Sequence, residues 1–516
     1  MRQLAHLFVL FLAVWGIAAA DASFAAPSGE SFVNVVDHGV PNDGKTLCSR
    51  QIQAIVDRCA EQGGGTIYFP SGTYLCGTIV LKSNITLHLD AGALILASRN
   101  LKDYPPHVPA YRSYTDFYTE KSVLYAEKAE NIAMVGRGTI DGQGKYFPGR
   151  HAYKSRPYLI RLIECRNVRA RDVTLQHSAS WTLHLLACED VVVDGLRINT
   201  LPRYNDTNDG IDVDSSRRVR IANCDISTED DAIVLKSTSP RPCEFVTITN
   251  CILRSERNGF KTGTESIGGF RYITMSNCII EDARSTGITL GAVDGGTCEK
   301  INIDNVVIRN VRFCPIFLRL GNRARPYWVP RPHDKPSNAP PKASVGAMRD
   351  IMITNVQAAG GTVAGVFMTG IPGHPIENVT LSNLRITVPG GGNEKAARRL
   401  DVPELENAYP NSFVFGAIPA YGLYARHMSN LRLRDVEFSF VKADARPPVV
   451  CQNVRQLDLF GLLGQTGPKA DCVIRLRQVE DAFIHGCRLR NPVARLIDRS
   501  KDCVGIDVTE NVYAKP

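Results

Sequence analysis

Two short segments concentrate carboxylates. Asn205-Asp-Thr-Asn-Asp-Gly-Ile-Asp-Val-Asp214 carries four aspartates in ten residues, and Thr228-Glu-Asp-Asp-Ala-Ile-Val-Leu-Lys236 sets Glu229, Asp230 and Asp231 in a row. Carboxylates held close together shift each other's pKa, so that one keeps its proton while another stays ionised. Hydrolysis of a glycosidic bond uses that asymmetry: an acid for the leaving oxygen, a base for water. The same residues suit two other roles. Aspartate fits polar turns, and clustered carboxylates are hard-oxygen ligands for calcium.

A repeat must position these groups. The phrase apolar-x-apolar-x-Asn-Cys reads Val219 to Cys224, Val246 to Cys251 and Ile273 to Cys278. With an apolar residue at its end it continues from Ile301, Ile351 and Val379, and weaker copies begin at Ile132, Val168, Val191, Leu431 and Leu457. The alternation is that of a strand with one buried face. Successive phrases mostly lie about 23 to 28 residues apart, the size of one solenoid coil. No leucine-rich signature accompanies that period. The pattern predicts an all-β, single-domain parallel β-helix of roughly ten coils, with Asn at a left-handed turn where its amide bonds the next coil. Asp209 and Asp230, 21 residues apart, would then be neighbours on adjacent coils.

The ends and interruptions of the solenoid are also legible. Ile52, Ile55, Val56 and Cys59 share one face of a helix over 49–61, a natural N-terminal cap. Gly63-Gly64-Gly65 leads into alternating strands through Ile67, Phe69, Ile85, Leu87 and Leu89. Gaps of about 50 residues from Ile301 to Ile351 and from Val379 to Leu431 point to insertions, at about 321–347 and 389–419.

Arg2, the apolar run Leu7–Ala20 and the small residues after it have the order of a secretory signal peptide, expected over 1–26, with the β-helix catalytic domain over 27–516. The expected location is therefore secreted or periplasmic. A net charge of +8 over 516 residues permits an anionic partner, but no basic block marks a nucleic-acid footprint. The expected partner is a polysaccharide or oligosaccharide substrate, with no nucleic acid, no membrane and a monomeric chain. Of the fifteen cysteines none forms a CxxC pair; Cys224, Cys251 and Cys278 recur every 27 residues and read as a buried stack. Cys48 with Cys59, or Cys243 with Cys298, are candidates for pairing in an oxidising compartment.

The chain resembles glycoside hydrolase family 28, the polygalacturonase and rhamnogalacturonase family, as a divergent member. The resemblance runs from Asn42-Asp-Gly-Lys45, Gly63-Gly-Gly-Thr-Ile-Tyr-Phe-Pro70 and Leu81-Lys-Ser-Asn-Ile-Thr-Leu87 through Trp181-Thr-Leu-His184. The family's Asn-Thr-Asp stretch corresponds to Thr207-Asn-Asp209, followed by Gly-Ile-Asp. Its Asp-Asp pair corresponds to Asp230-Asp231, followed by Ala-Ile-Val-Leu-Lys-Ser. The resemblance implies a right-handed β-helix and inverting hydrolysis, Asp230 as general acid and Asp209 and Asp231 activating water. It implies neither metal nor organic cofactor.

Two family signatures are missing. The Gly-His-Gly motif falls at Glu256-Arg257-Asn258, with Arg257 in the histidine position, and the Arg-Ile-Lys motif aligns with Thr289-Leu-Gly291. A hydroxyl and a glycine supply no charge-assisted bonds to a sugar carboxylate. Arg257 and Lys261 are candidates to replace that charge, and His184 and His177 are further candidates at the site. In the Pro-rich insertion, Tyr327, Trp328, Arg323 and Arg325 could stack on and hold a sugar. The sequon at Asn205, beside the carboxylates, would put a glycan in the cleft, which favours a bacterial setting; others stand at Asn84 and Asn378. Two other readings remain at this point: a calcium-assisted β-helix lyase using Arg257 or Lys261, and a non-catalytic carbohydrate-binding β-helix.

Overall fold

The computed structural model describes residues 31–513, except 148, 150–152, 203, 327–343, 490 and 494. The expected leader at 1–26, and Tyr327 and Trp328, lie outside the described residues. Within them the chain winds as one long parallel ladder. One of its rows runs Ile79, Leu124, Ile160, Leu183, Ile211, Ile233, Phe260, Ile288, Ile316, Val366, Leu423, Val449, Ile474 and Ile497, each paired in register with the next. That is a fourteen-coil stack, against the roughly ten read from sequence. The coils not read from sequence lie at the two ends of the stack, at Ile79, Ile474 and Ile497.

A second row carries the sequence repeat itself. Ile132, Val168, Val191, Val219, Val246, Ile273, Ile301, Ile351, Val379, Leu431 and Leu457 stack in one continuous register. Ile301 pairs directly with Ile351 and Val379 with Leu431, so both long gaps are insertions between adjacent coils. Inward residues of all rows merge into one apolar core from Val33 to Leu496. The helix α1 spans Ser49–Glu61 and buries Ile52, Ile55, Val56 and Cys59, capping the end of that core.

The asparagines do what their position requires. Asn223, Asn250, Asn277, Asn305, Asn355 and Asn383 all have φ between 51° and 59°. Their amides bond across coils, as in Asn305 to Asn277 at 2.8 Å and Asn383 to Asn355 at 2.7 Å. Cys224, Cys251 and Cys278 line the core beside them. None of the fifteen cysteines is in a disulfide. The expected pairings are corrected: Cys48 lies 3.6 Å from Cys76, not at Cys59, because coil stacking brings together residues one coil apart. No helix among the described residues is long and apolar enough to cross a membrane.

Candidate active site

Strands Ile211–Asp214, Ile233–Ser237 and Phe260–Ser266 lie side by side in the first row. Two residues ahead of the paired Ile211, Ile233 and Phe260 stand Asp209, Asp231 and Asn258, at equivalent places on consecutive coils. The backbone confirms it: Gly210 N donates to Asp231 O at 2.9 Å and Ala232 N to Asn258 O at 3.0 Å. The coil-to-coil neighbour of Asp209 is therefore Asp231; the expectation of Asp230 was off by one residue. Asp230 sits at the turn before it, and its carboxylate accepts Thr207 N at 3.2 Å and Asp231 N at 2.9 Å.

Two lysines stand among the carboxylates. Lys261 Nζ donates to Asp231 Oδ2 at 2.8 Å and to the Tyr409 hydroxyl at 3.0 Å. Lys236 Nζ lies 3.4 Å from Asp209, 3.7 Å from Asp212 and 3.9 Å from Glu265, and 4.6 Å from the centre of the Trp181 ring. The second oxygen of Asp231 accepts the Asn258 side-chain amide at 2.6 Å and the Asn258 backbone N–H at 3.2 Å. These ammonium groups already occupy the space among the carboxylates, so the cluster is built as an ion-pair network. A second group with ligand-type atoms, Asp471, Cys472 and Asp498, is likewise engaged, by Arg475 at 2.7 and 2.9 Å.

This environment drives the three aspartates apart. Burial raises the Asp230 carboxyl above its ordinary range and the neighbouring Asp231 charge raises it further, against Lys261, Arg257 and Lys236. Asp231 is equally buried, but Lys261 and Lys236, with the Lys261 and Asn258 hydrogen bonds, outweigh burial and hold it below the ordinary range. Asp209 is pushed up to about 7, by burial first, with Lys236 opposing and Asp230 and Asp231 adding. Burial and the adjacent Asp209 also raise Asp212 well above its usual range. Both lysines have raised pKa values, the surrounding carboxylates overcoming the cost of burial. The site thus holds Asp231 toward its ionised form beside carboxyls pushed toward their protonated form.

The remaining predicted residues divide. Arg257 is half-buried, its backbone N–H donating to Ser255 Oγ at 2.8 Å; its charge acts on Asp230, but Asn258 rather than Arg257 is the residue of that coil that touches Asp231. His184 is corrected as a substrate contact: it has no exposed surface, pairs with Asp214 at 3.2 Å and packs against Tyr158 and Trp181, which makes it part of the wall. Burial lowers its pKa to about 4, so it stays neutral. His177 pairs with Asp141 at 3.0 Å. Arg323 binds Asp294 and Glu265, which helps hold Glu265 ionised, and Arg325 reaches the Tyr114 hydroxyl. Asn205 is buried and donates to Gly144 O at 3.0 Å, leaving no room for a glycan there.

Lys236, Asn258, Trp181 and Tyr409 were not singled out from sequence. Lys236 and Asn258 were within reach, since each holds a fixed offset from a strand whose register the repeat sets. Tyr409 comes from the insertion at 389–419, and no periodicity places it.

The face carrying these groups is covered on both sides. Toward the C-terminus, outward-pointing Phe317, Phe367, Tyr424 and Val450 are fully buried in an apolar cluster with Val402, Phe415 and Ile418 of the 389–419 insertion. Arg319 fastens the same insertion through the carbonyls of Glu404 and Leu405, at 3.0 and 2.8 Å. Toward the N-terminus, Arg161 bonds Thr115 and Thr119, and Tyr114 N bonds Thr238 O at 2.8 Å. Asp209 and Asp231 are 3% and 2% exposed. Half-buried Asp230 and Arg257 and exposed Tyr409 mark the mouth. Among the described residues, covered segments thus flank the carboxylates in both directions along the sheet.

A profile described as Glycosyl hydrolases family 28 matches residues 59–404, more than half of the chain. A grape (Vitis vinifera) protein named "Probable polygalacturonase" is 32% identical over 216 residues, 40% of this chain and 44% of that one. An "Exo-poly-alpha-D-galacturonosidase" of Dickeya chrysanthemi is 27% identical over 252 residues, 39% of this chain and 41% of that one. The matches thus span less than half the length of these curated relatives. Among solved structures, an exopolygalacturonase from Thermotoga maritima superposes with a TM-score of 0.63 at 22% identity, over 80% of this chain and 92% of that one. The family 28 exopolygalacturonase of Yersinia enterocolitica gives 0.57 at 19% identity, over 95% and 79%. These likenesses carry the parallel β-helix fold.

Proposed function

The chain belongs to glycosyl hydrolases family 28, and from that premise we propose that it hydrolyses glycosidic bonds of a pectic or related acidic polysaccharide, acting at chain ends. The observation that carries the chemistry is the opposed drive on adjacent carboxyls: Asp230 raised, Asp231 lowered. Asp230, at the mouth, protonates the leaving oxygen. Asp231, kept ionised by Lys261, takes the proton of the attacking water, and the bond breaks with inversion. Asp209, pushed up to about 7, orients that water together with Lys236. Polygalacturonase names among the relatives support a uronate-containing substrate.

Action at chain ends rests on the covered sheet, which leaves no open groove for the middle of a polymer. A secreted or periplasmic location belongs to the same proposal, from the leader-like run Leu7–Ala20 and a polymeric substrate. A lyase using Lys261 as base is disfavoured, because a lysine whose pKa is raised by Asp231 holds its proton.

The test is incubation with polygalacturonate and branched pectic polymers in the presence of chelator, beside Asp230→Asn. The reading expects new reducing ends without ultraviolet-absorbing product, little early fall in viscosity, and a loss of about 10²- to 10⁴-fold in the variant. Calcium-dependent absorbance would make the protein a lyase, and rapid loss of viscosity would remove the chain-end assignment.

A further inference from the structure

A pocket that accepts the end of a polymer needs a route for the rest of it. The sheet is closed in both directions, by the Phe317–Phe415 cluster and by the Tyr114–Thr119 segment. Among the described residues, the rim of the coils is concave. Glu256, Arg284, Arg312 and Gly361 occupy the same rim position on successive coils, tied by Arg284 N to Ser255 O, Arg312 N to Ala283 O and Gly361 N to Val311 O, and Thr362 follows as the partner of Phe313. Glu256, Arg284, Arg312 and Thr362 line a depression of about 620 Å³ that begins beside Arg257 and meets, at Thr362, a larger cavity of about 1100 Å³.

That larger cavity combines aromatic and cationic lining. Phe313 and Phe413 face each other with ring centres 4.8 Å apart, and the Arg312 guanidinium lies 4.8 Å over Phe313. Lys395 and Arg398 project from α2, Glu394–Ala397, and its following residue, both exposed. Arg284 is partly neutralised by Glu256 at 2.9 Å, and Arg398 only loosely by Glu394 at 3.7 Å. From the coil of Asp230 to that of Phe313 is three strand spacings, about 14 Å. Aromatic faces with flanking cations suit sugar rings that carry carboxylates.

We propose that this rim is a second binding site, a track that holds an acidic glycan chain as it leaves the pocket, with Arg284, Arg312 and Lys395 pairing its carboxylates and Phe413 packing on a ring. The track rests on the chain-end hydrolase reading for its link to the pocket, while its affinity is measured without turnover. The test is calorimetric binding of a long galacturonate oligomer and of the galacturonate disaccharide. The proteins compared are Asp230→Asn and the same chain carrying Arg312→Glu and Lys395→Glu, both exposed positions away from the core. The track predicts a fall of at least about tenfold in affinity for the long oligomer, as expected for two lost charge-assisted contacts, with the disaccharide unchanged. Phe413→Ala should weaken the long oligomer in the same selective way. Equal losses for both probes, no loss for the long one, or no binding of either by the parent would overturn it. Because the readout is binding, selective loss without turnover in the wild-type chain would sink the hydrolase and keep the track.

Discussion

Two stretches of the same sheet, one on each side of Asp231, share their backbone and differ in everything they point outward. On the N-terminal side the outward positions are Arg161, His184, Asp212, Asp214 and Lys236, a buried ionic network. On the C-terminal side they are Phe317, Phe367, Tyr424 and Val450, a second apolar core. The coil register is continuous through both. The β-helix backbone is thus indifferent to what its outer face carries, and each kind of face is decided by the segment folded over it. Apolar residues recruit a cover that folds with them; charged residues form a network with a few pinned loops. The pocket sits at the seam, where Lys261 bonds Asp231 on one side and Tyr409 of the apolar cover on the other.

The sharpest way to break this contrast is to empty the apolar side. Phe415→Ala removes a ring packed 5.0 Å from Phe367 and should cost about 3–5 kcal/mol. Denaturant unfolding should then show the cover losing protection before the coils, and polymer cleavage should shift toward internal bonds. A single transition of unchanged midpoint would show that the cover is not a packed core.

At the seam, Lys261→Met removes the charge that most lowers Asp231, at the cost of a charge-assisted bond of about 1.5–3 kcal/mol. The folded pKa of Asp231 then rises. Activity needing an ionised base survives only at higher pH, so the acidic limb of the kcat/KM profile should move up while the alkaline limb moves less. A profile that merely scales down would remove Lys261 as the group poising Asp231.

The smallest effect belongs to the coil turns, which both stretches share. Asn250→Ala loses a 3.3 Å bond to Asn223 and puts alanine at φ 55°, a cost of about 1–2 kcal/mol. Thermal unfolding should register it, and kcat/KM should not.

Sequence revealed the fold well because the repeat encodes it twice, in the apolar alternation and in the left-handed asparagine. It revealed the aspartates because motif and coil spacing coincide. It misassigned what depends on the cover. His184 was expected at the site, yet it is sealed behind Trp181 and Tyr158. At Gly291, where the cation is absent, a Cβ would stand 3.1 Å from Thr262 O and in ordinary contact with Pro410 of the insertion at 3.8 Å. Insertions lack a period, and their docking is fixed by tertiary packing that no local pattern announces.

The apolar cover has a consequence for the order in which the molecule is made. Its cluster joins Cys314 to Val450, whereas Asp209, Asp230 and Asp231 belong to coils completed far earlier in the chain. A ribosome therefore releases the acid and base long before the wall that encloses them exists. A nascent chain halted before residue 402 would carry stacked coils and all three aspartates, with the seam at Tyr409 still missing. Enclosure of the pocket is then a late event of synthesis.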